Sequence, residues 1–154
     1  MKLPSFEIVF QEVPGEVSLA LNISGCPNRC KGCHSPHLWE DTGEELTPEL
    51  LETLVNQYYP GITCVCFMGG DQDPAYVRAL ATRVHEKYGI KTAWYTGTNI
   101  SLSVDDKALD AFDFVKTGPY IEALGGLKSP TTNQRFYRRE GANWIDETAR
   151  FWRR

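Results

Sequence analysis

The chain has 154 residues, 42% of them hydrophobic, and a formal net charge of −4. This length fits one domain, residues 1–154, and the apolar content excludes a disordered chain because it is enough to build a core. The negative balance argues against nucleic acid as a partner. No apolar run is long enough to cross a membrane, and the first residues lack the apolar stretch of a signal peptide. We therefore expect a cytoplasmic protein without a membrane partner.

Apolar side chains recur with the periods of strands and helices between residues 17 and 137, which we take as the core of the domain. Residues 17–24 alternate apolar and small or polar side chains, as a half-buried strand does. Thr47 and Asp73 each precede a proline, which is the signal of a capped helix start. In chain order, the predicted elements are a strand at 17–24, a helix beginning at 48, a strand at 62–68, a helix beginning at 74, a strand at 90–96, a short helix at 105–111 and a strand at 112–116.

This alternation of strands and helices predicts an α/β fold with a mostly parallel sheet of about four or five strands, joined by right-handed crossovers. Functional groups in parallel sheets gather where the strands end. The loops after residues 24 and 68 each follow a predicted strand. We therefore expect these two loops to meet at a single site.

Three cysteines lie close together in the first of these loops. Cys26, Cys30 and Cys33 have the spacing C-x3-C-x2-C, which lets three thiolates converge on one soft metal centre. A structural zinc site or an ordinary ferredoxin cluster has four protein ligands, whereas three thiolates on a four-iron cluster leave one iron open. The alternative is a zinc site completed by His34 or His37 in a non-catalytic interaction module.

Two further cysteines, Cys64 and Cys66, are two residues apart on the predicted strand at 62–68, so both face the same side of the sheet. The simpler interpretation is that they are small core residues. The alternative is a thiol pair near the metal centre.

The three-cysteine spacing, directly after the first strand of a β/α pattern, resembles the radical S-adenosylmethionine (SAM) superfamily. The resemblance implies an incomplete (βα) barrel of the radical SAM type with an open side. It also implies a 4Fe-4S cluster on Cys26, Cys30 and Cys33, whose open iron chelates the amino and carboxylate groups of SAM. One electron from the cluster then cleaves SAM and yields a 5′-deoxyadenosyl radical.

A glycine pair followed by an aspartate, residues 69–71, comes directly after the strand at 62–68 and resembles the glycine-rich SAM-binding segment of the superfamily. The alternative is a simple strand-to-helix turn. Residues 94–97 end the next strand, where they supply either polar contacts to the ribose of SAM or core aromatic side chains. The residues that the resemblance assigns to the SAM site are Gly32, Cys33, His34, Gly69, Gly70 and Asp71.

The residues around the cysteines, 24–36 and then Trp39, resemble one branch more specifically: the activating proteins of anaerobic (class III) ribonucleoside-triphosphate reductases. Gly32, before the third cysteine, is typical of this branch. The resemblance continues through residues 68–71, 94–97, 115–120 and 132–134.

This resemblance implies that the chain activates a glycyl radical enzyme, the large subunit of an anaerobic ribonucleotide reductase. A flavodoxin-like donor supplies the electron, and hydrogen is abstracted from the Cα of a glycine of the partner. The alternatives are an activase of another glycyl radical enzyme and a radical SAM enzyme that acts on a small molecule.

The tail, residues 135–154, carries six arginines. We expect a solvated helical or coil end. The alternatives are a docking surface for an acidic partner and, because aromatic residues lie among the arginines, a nucleic-acid site.

Overall fold

The computed structural model describes residues 1–24, 43–98, 109–141 and 143–152. The predicted strands and both predicted helices that lie within these ranges are confirmed, with small shifts at their ends. Most of the short helix predicted at 105–111 lies outside the described residues. The elements are β1 Lys2–Leu3, β2 Ser5–Val9, β3 Ser18–Asn22, β4 Glu44–Glu45, α1 Pro48–Tyr58, β5 Cys64–Met68, α2 Pro74–Tyr88, β6 Lys91–Tyr95, β7 Phe114–Thr117, β8 Arg135–Glu140, β9 Asn143–Asp146 and a 3₁₀ turn at Thr148–Phe151.

Seven of the described strands form one sheet in the order β2-β3-β5-β6-β7-β8-β9. The four central strands, β3, β5, β6 and β7, are parallel to one another. The strands outside them, β2 on one side and β8 and β9 on the other, pair antiparallel. The α/β class is therefore confirmed, but the sheet is mixed and larger than the four or five mostly parallel strands that the sequence predicted.

Both described helices begin at the capping residues that the sequence indicated. The side chain of Thr47 accepts a hydrogen bond from the backbone N–H of Leu50 at 3.0 Å, and that of Asp73 accepts one from Tyr76 at 3.3 Å. Gly89 ends α2 in the left-handed conformation, with φ of 67°, which a residue without a Cβ adopts most readily. Neither of these two helices has the length and apolar character needed to cross a membrane.

Both faces of the sheet carry an apolar cluster, as parallel strands require. On one face, α1 and α2 pack against β3, β5, β6 and β7. On the other face, the loop after β2 and the 3₁₀ turn supply the cover. The buried strand residues of the first face include Leu19, Leu21, Val65, Phe67, Trp94 and Val115. The second face buries Val13, Cys64, Cys66, Ala93, Phe114 and Phe136.

The expectation of a helical or coil tail was wrong for residues 135–146, whose described part forms the β8–β9 hairpin, whereas the 3₁₀ turn at Thr148–Phe151 follows it. Its arginines are engaged within the chain. Glu147 pairs with Arg138 and with Arg150, each at 2.9 Å, and the guanidinium of Arg139 lies 4.5 Å from the ring centre of Trp144. The many charges hide the period-two pattern of these strands, because the arginines pair with nearby acids.

Thr148 holds the β8–β9 hairpin in place beside the apolar cluster on the second face of the sheet. Its hydroxyl accepts the backbone N–H of Phe136 at 2.8 Å and donates to Asp146 at 2.6 Å. We predict that Thr148→Val lowers the free energy of unfolding by about 1–3 kcal/mol, because it leaves a buried N–H without an acceptor.

The matched control is Thr53→Val, since Thr53 is exposed on α1 and its change is expected to cost no more than about 0.5 kcal/mol. Urea denaturation of the two variants compares them directly. Equal losses would show that the hairpin is not fastened through Thr148.

Candidate functional site

The candidate site lies where the parallel strands end. The loop after residue 24 lies outside the described residues, but the two residues just before it contact the end of β5 and the loop that follows it. The backbone N–H of Ile23, just after β3, donates to the carbonyl of Met68 at the end of β5 over 3.0 Å. The side-chain amide of Gln72 donates to the carbonyl of Ser24 at 2.8 Å. Hydrogen bonds therefore join the residues that precede the cysteines to the turn that follows β5.

The predicted cluster ligands lie in residues 25–42, here called the cysteine segment, which is outside the described residues. The chain is described on both sides of this segment. Ser24, on the near side, donates its backbone N–H to the carbonyl of Lys2 at 3.0 Å, and on the far side β4 pairs with β1. The segment therefore begins and ends beside the same short strand. The predicted site residues within it are Cys26, Cys30, Gly32, Cys33 and His34.

Gly69 and Gly70 form a turn that side chains would disrupt. Their φ values are 116° and 90°, in the region that favours glycine. A Cβ on Gly70 would lie 2.4 Å from Cγ2 of Val77 in α2, and one on Gly69 would lie 3.1 Å from the carbonyl oxygen of Ile23. Packing between strands and helix therefore requires both glycines, whatever the turn binds. We call residues 69–71 the glycine turn.

Asp71, the third residue of the glycine turn, holds the neighbouring loop. Its carboxylate accepts the backbone N–H of Gly97 at 2.9 Å and the hydroxyl of Thr96. The sequence placed Asp71 at a SAM site. The structure shows that this carboxylate also connects the ends of β5 and β6. Its removal would displace the loop after β6 as well as remove any contact with a ligand.

Trp94 is a core residue, which is the second of the two roles that the sequence left open for it. It is only 4% exposed and stacks on Phe112 with 5.5 Å between ring centres. Its indole N–H donates to the carbonyl of Gly69 at 2.8 Å. Trp94 therefore supports the glycine turn from beneath and does not point toward a ligand.

Lys116 at the end of β7 belongs to the site and was not singled out by the sequence analysis. It is only 8% exposed, and its ammonium donates to the carbonyls of Thr96 and Gly118 at 3.2 and 2.9 Å. It lies in one cross-strand row with Tyr95 and Met68. A lysine that ends an apolar strand was the available signal, because burying an ammonium is costly unless carbonyls or anions surround it.

Cys64 and Cys66 are buried core residues, as the simpler interpretation held. Neither is exposed, and burial raises the pKa of Cys64 to about 12 and that of Cys66 well above its usual value. Metal ligation needs thiolates, and these two side chains are protonated thiols at neutral pH. The Sγ of Cys66 lies 3.4 Å from the Sδ of Met68, so the pair contributes to packing beneath the site.

Comparison with known families gives one match, to the family described as a 4Fe-4S single cluster domain, over residues 13–137. The chain belongs to this family. The matched range contains the cysteine segment and all four parallel strands. The three thiols at 26, 30 and 33 are the soft donors that an iron–sulfur cluster requires, so the donor set fits the group that the family carries. Neither the curated proteins nor the solved structures contain a significant match.

The glycine turn provides a direct test of how the site is packed. We predict that Gly70→Ala lowers the free energy of unfolding by about 2–4 kcal/mol, since the new Cβ both strains the backbone and overlaps the fully buried Val77. Gly89→Ala is the matched control, because its φ is also positive but nothing lies within 4 Å of the added Cβ. It should cost about 1 kcal/mol. Thermal unfolding measures the loss of stability in both variants. Equal losses would contradict this packing.

Proposed function

We propose that the chain is a radical SAM enzyme that activates a glycyl radical enzyme, the large subunit of an anaerobic ribonucleotide reductase. In this reaction one electron splits SAM into methionine and a 5′-deoxyadenosyl group, which takes a hydrogen atom from a glycine Cα of the partner and leaves as 5′-deoxyadenosine. The incomplete (βα) barrel of the radical SAM type is part of this proposal.

The observation that carries the proposal is the contact between residues 23–24, which precede the cysteine segment, and the residues on either side of the glycine turn. It consists of the hydrogen bonds from Gln72 to Ser24 and from Ile23 to Met68. A cluster with one open iron and a backbone turn that binds an amino acid must be neighbours if SAM is to bridge them. The family match supports the cluster, and the position of Ser24, two residues before Cys26, supports its proximity to the glycine turn.

The roles of the chain's own residues follow from this arrangement. Cys26, Cys30 and Cys33 would hold the cluster and leave one iron for SAM. Gly69 and Gly70 bring backbone to the ligand without side chains, because their packing against α2 and β3 leaves no room for a Cβ.

Near the proposed ligand, Thr96 at the end of β6 is held from two sides. Its hydroxyl donates to the carboxylate of Asp71, and its carbonyl accepts the ammonium of Lys116 from β7. Gly32, Cys33 and His34 complete the proposed SAM contacts.

The proposed partners are a flavodoxin-like electron donor and the glycine-bearing segment of the reductase. The sheet leaves β2 and β9 as its outermost strands in the described part of the chain. A sheet with two separate edges, in place of a closed ring of strands, leaves a side through which a segment of another protein would reach the site. Nucleic acid is disfavoured as a partner, since Arg138, Arg139 and Arg150 are engaged within the chain.

The family match weighs against a zinc-stabilised interaction module and favours iron and sulfide at the three cysteines. A radical SAM enzyme for a small molecule would use the same cluster and the same glycine turn. Activity toward the partner therefore separates this alternative from the activase, whereas cleavage of SAM is common to both.

We predict that the cluster-loaded chain, reduced with dithionite without oxygen, converts SAM to 5′-deoxyadenosine. In Cys30→Ala, product should fall to the background level because a cluster ligand is lost. Cys64→Ala is the matched control: it also removes one thiol, but from the core beneath the site, so product formation should persist. Chromatography of the acid-quenched reaction measures the product.

Addition of an anaerobic ribonucleotide reductase large subunit should then give the electron paramagnetic resonance (EPR) doublet of a glycyl radical. Product without any radical on this partner would favour a small-molecule substrate or another glycyl radical enzyme. Absence of product from protein with an intact cluster would contradict the radical SAM assignment. Tightly held zinc in place of iron would favour the interaction module.

A further inference from the structure

We propose that Gln72 is a positioning residue for the cluster: it fixes Ser24, two residues before Cys26, against the turn that follows β5. This inference rests on the proposed role of Cys26 as the first cluster ligand. Gln72 was not among the residues that the sequence assigned to the site.

Ser24 is held from opposite directions. Its backbone N–H and its hydroxyl both donate to the carbonyl of Lys2, at 3.0 and 3.3 Å. Its own carbonyl accepts the side-chain amide of Gln72 at 2.8 Å. Ser24 is fully buried, and its hydrogen bonds with Lys2 and Gln72 are partly shielded from water, which strengthens their hold on the backbone.

The backbone on both sides of Gln72 is held by hydrogen bonds. The backbone N–H of Asp73 donates to the carbonyl of Gly70 at 3.0 Å, and Asp73 then caps α2. Gln72 is exposed, so its side chain adds little to the hydrophobic core. Its hydrogen bond to Ser24 is therefore a contact whose loss should leave the fold intact.

The consequence for the cluster comes from chain distance. Ser24 is two residues before Cys26, so a shift of the Ser24 backbone moves the first ligand directly. Residues that orient metal ligands from outside the first coordination sphere change metal retention by large factors. Gln72 directly follows the glycine turn in the chain. Its hydrogen bond to Ser24 therefore links the glycine turn to the residue that precedes the cysteine segment.

The test compares Gln72→Ala and Gln72→Glu with the wild-type chain, all loaded with cluster under anaerobic conditions. Gln57→Ala is the matched control, because Gln57 is an exposed glutamine on α1, away from the site. The measurements are the rate of iron release to an excess of a colorimetric chelator, the EPR spectrum of the reduced cluster, and the melting temperature of each cluster-free chain.

We expect Gln72→Ala to release iron about five-fold faster than wild type, the effect of losing one hydrogen bond. Gln72→Glu should release iron faster still, since a carboxylate cannot donate and faces the Ser24 carbonyl. Both variants should alter the EPR line shape while leaving the melting temperature of the cluster-free chain unchanged. Gln57→Ala should match wild type in all three measurements.

Release rates and EPR spectra of both Gln72 variants that match wild type would overturn the inference. A lower melting temperature of the cluster-free Gln72 variants would also overturn the inference, because the effect would then be on the fold as a whole. These measurements use neither SAM nor the partner. A failure to cleave SAM would therefore refute the proposed function without altering the result for Gln72.

Discussion

The parallel pairing of β3 with β5 is the constraint on which the site depends. It places Asn22 opposite Met68, so the residues that follow each strand emerge side by side, and Ile23 extends the pairing by one hydrogen bond. A parallel pair cannot be closed by a short turn and needs a crossover, which α1 provides. Ile23, just before the cysteine segment, and Gly69 are distant in sequence and adjacent in space because of this one pairing.

The same edge shows how structural and chemical demands coincide in one turn. Gly70 is required by the packing of Val77, and Trp94 supports Gly69 through its indole N–H. Asp71 reaches across to Gly97. Each of these contacts would exist in a protein that bound nothing there, yet together they hold the backbone in place at this edge of the sheet, which preorganises the edge for a ligand. One residue can therefore make a contact that the fold requires and also contact a ligand.

The sequence predicted the parallel core because helix caps and strand alternation are local signals, and Thr47 and Asp73 gave clear ones. It missed β2 because that strand is largely exposed, and it missed the hairpin of β8 and β9 because its arginines pair with acids that only the fold brings close. The glycine turn was found as a motif. Gln72 was not, since its partner is a backbone carbonyl from another loop and such a contact has no pattern in the chain. Lys116 was not found either, although a lysine that ends an apolar strand was a signal for it.

The central claim is that a cluster with one open iron lies beside the glycine turn. The most direct measurement is the EPR spectrum of the reduced wild-type cluster with and without SAM, recorded also with SAM carrying an isotope at the amino nitrogen. We predict that SAM shifts the spectrum and that the label produces a hyperfine coupling to the cluster. A spectrum that saturating SAM leaves unchanged would contradict the account.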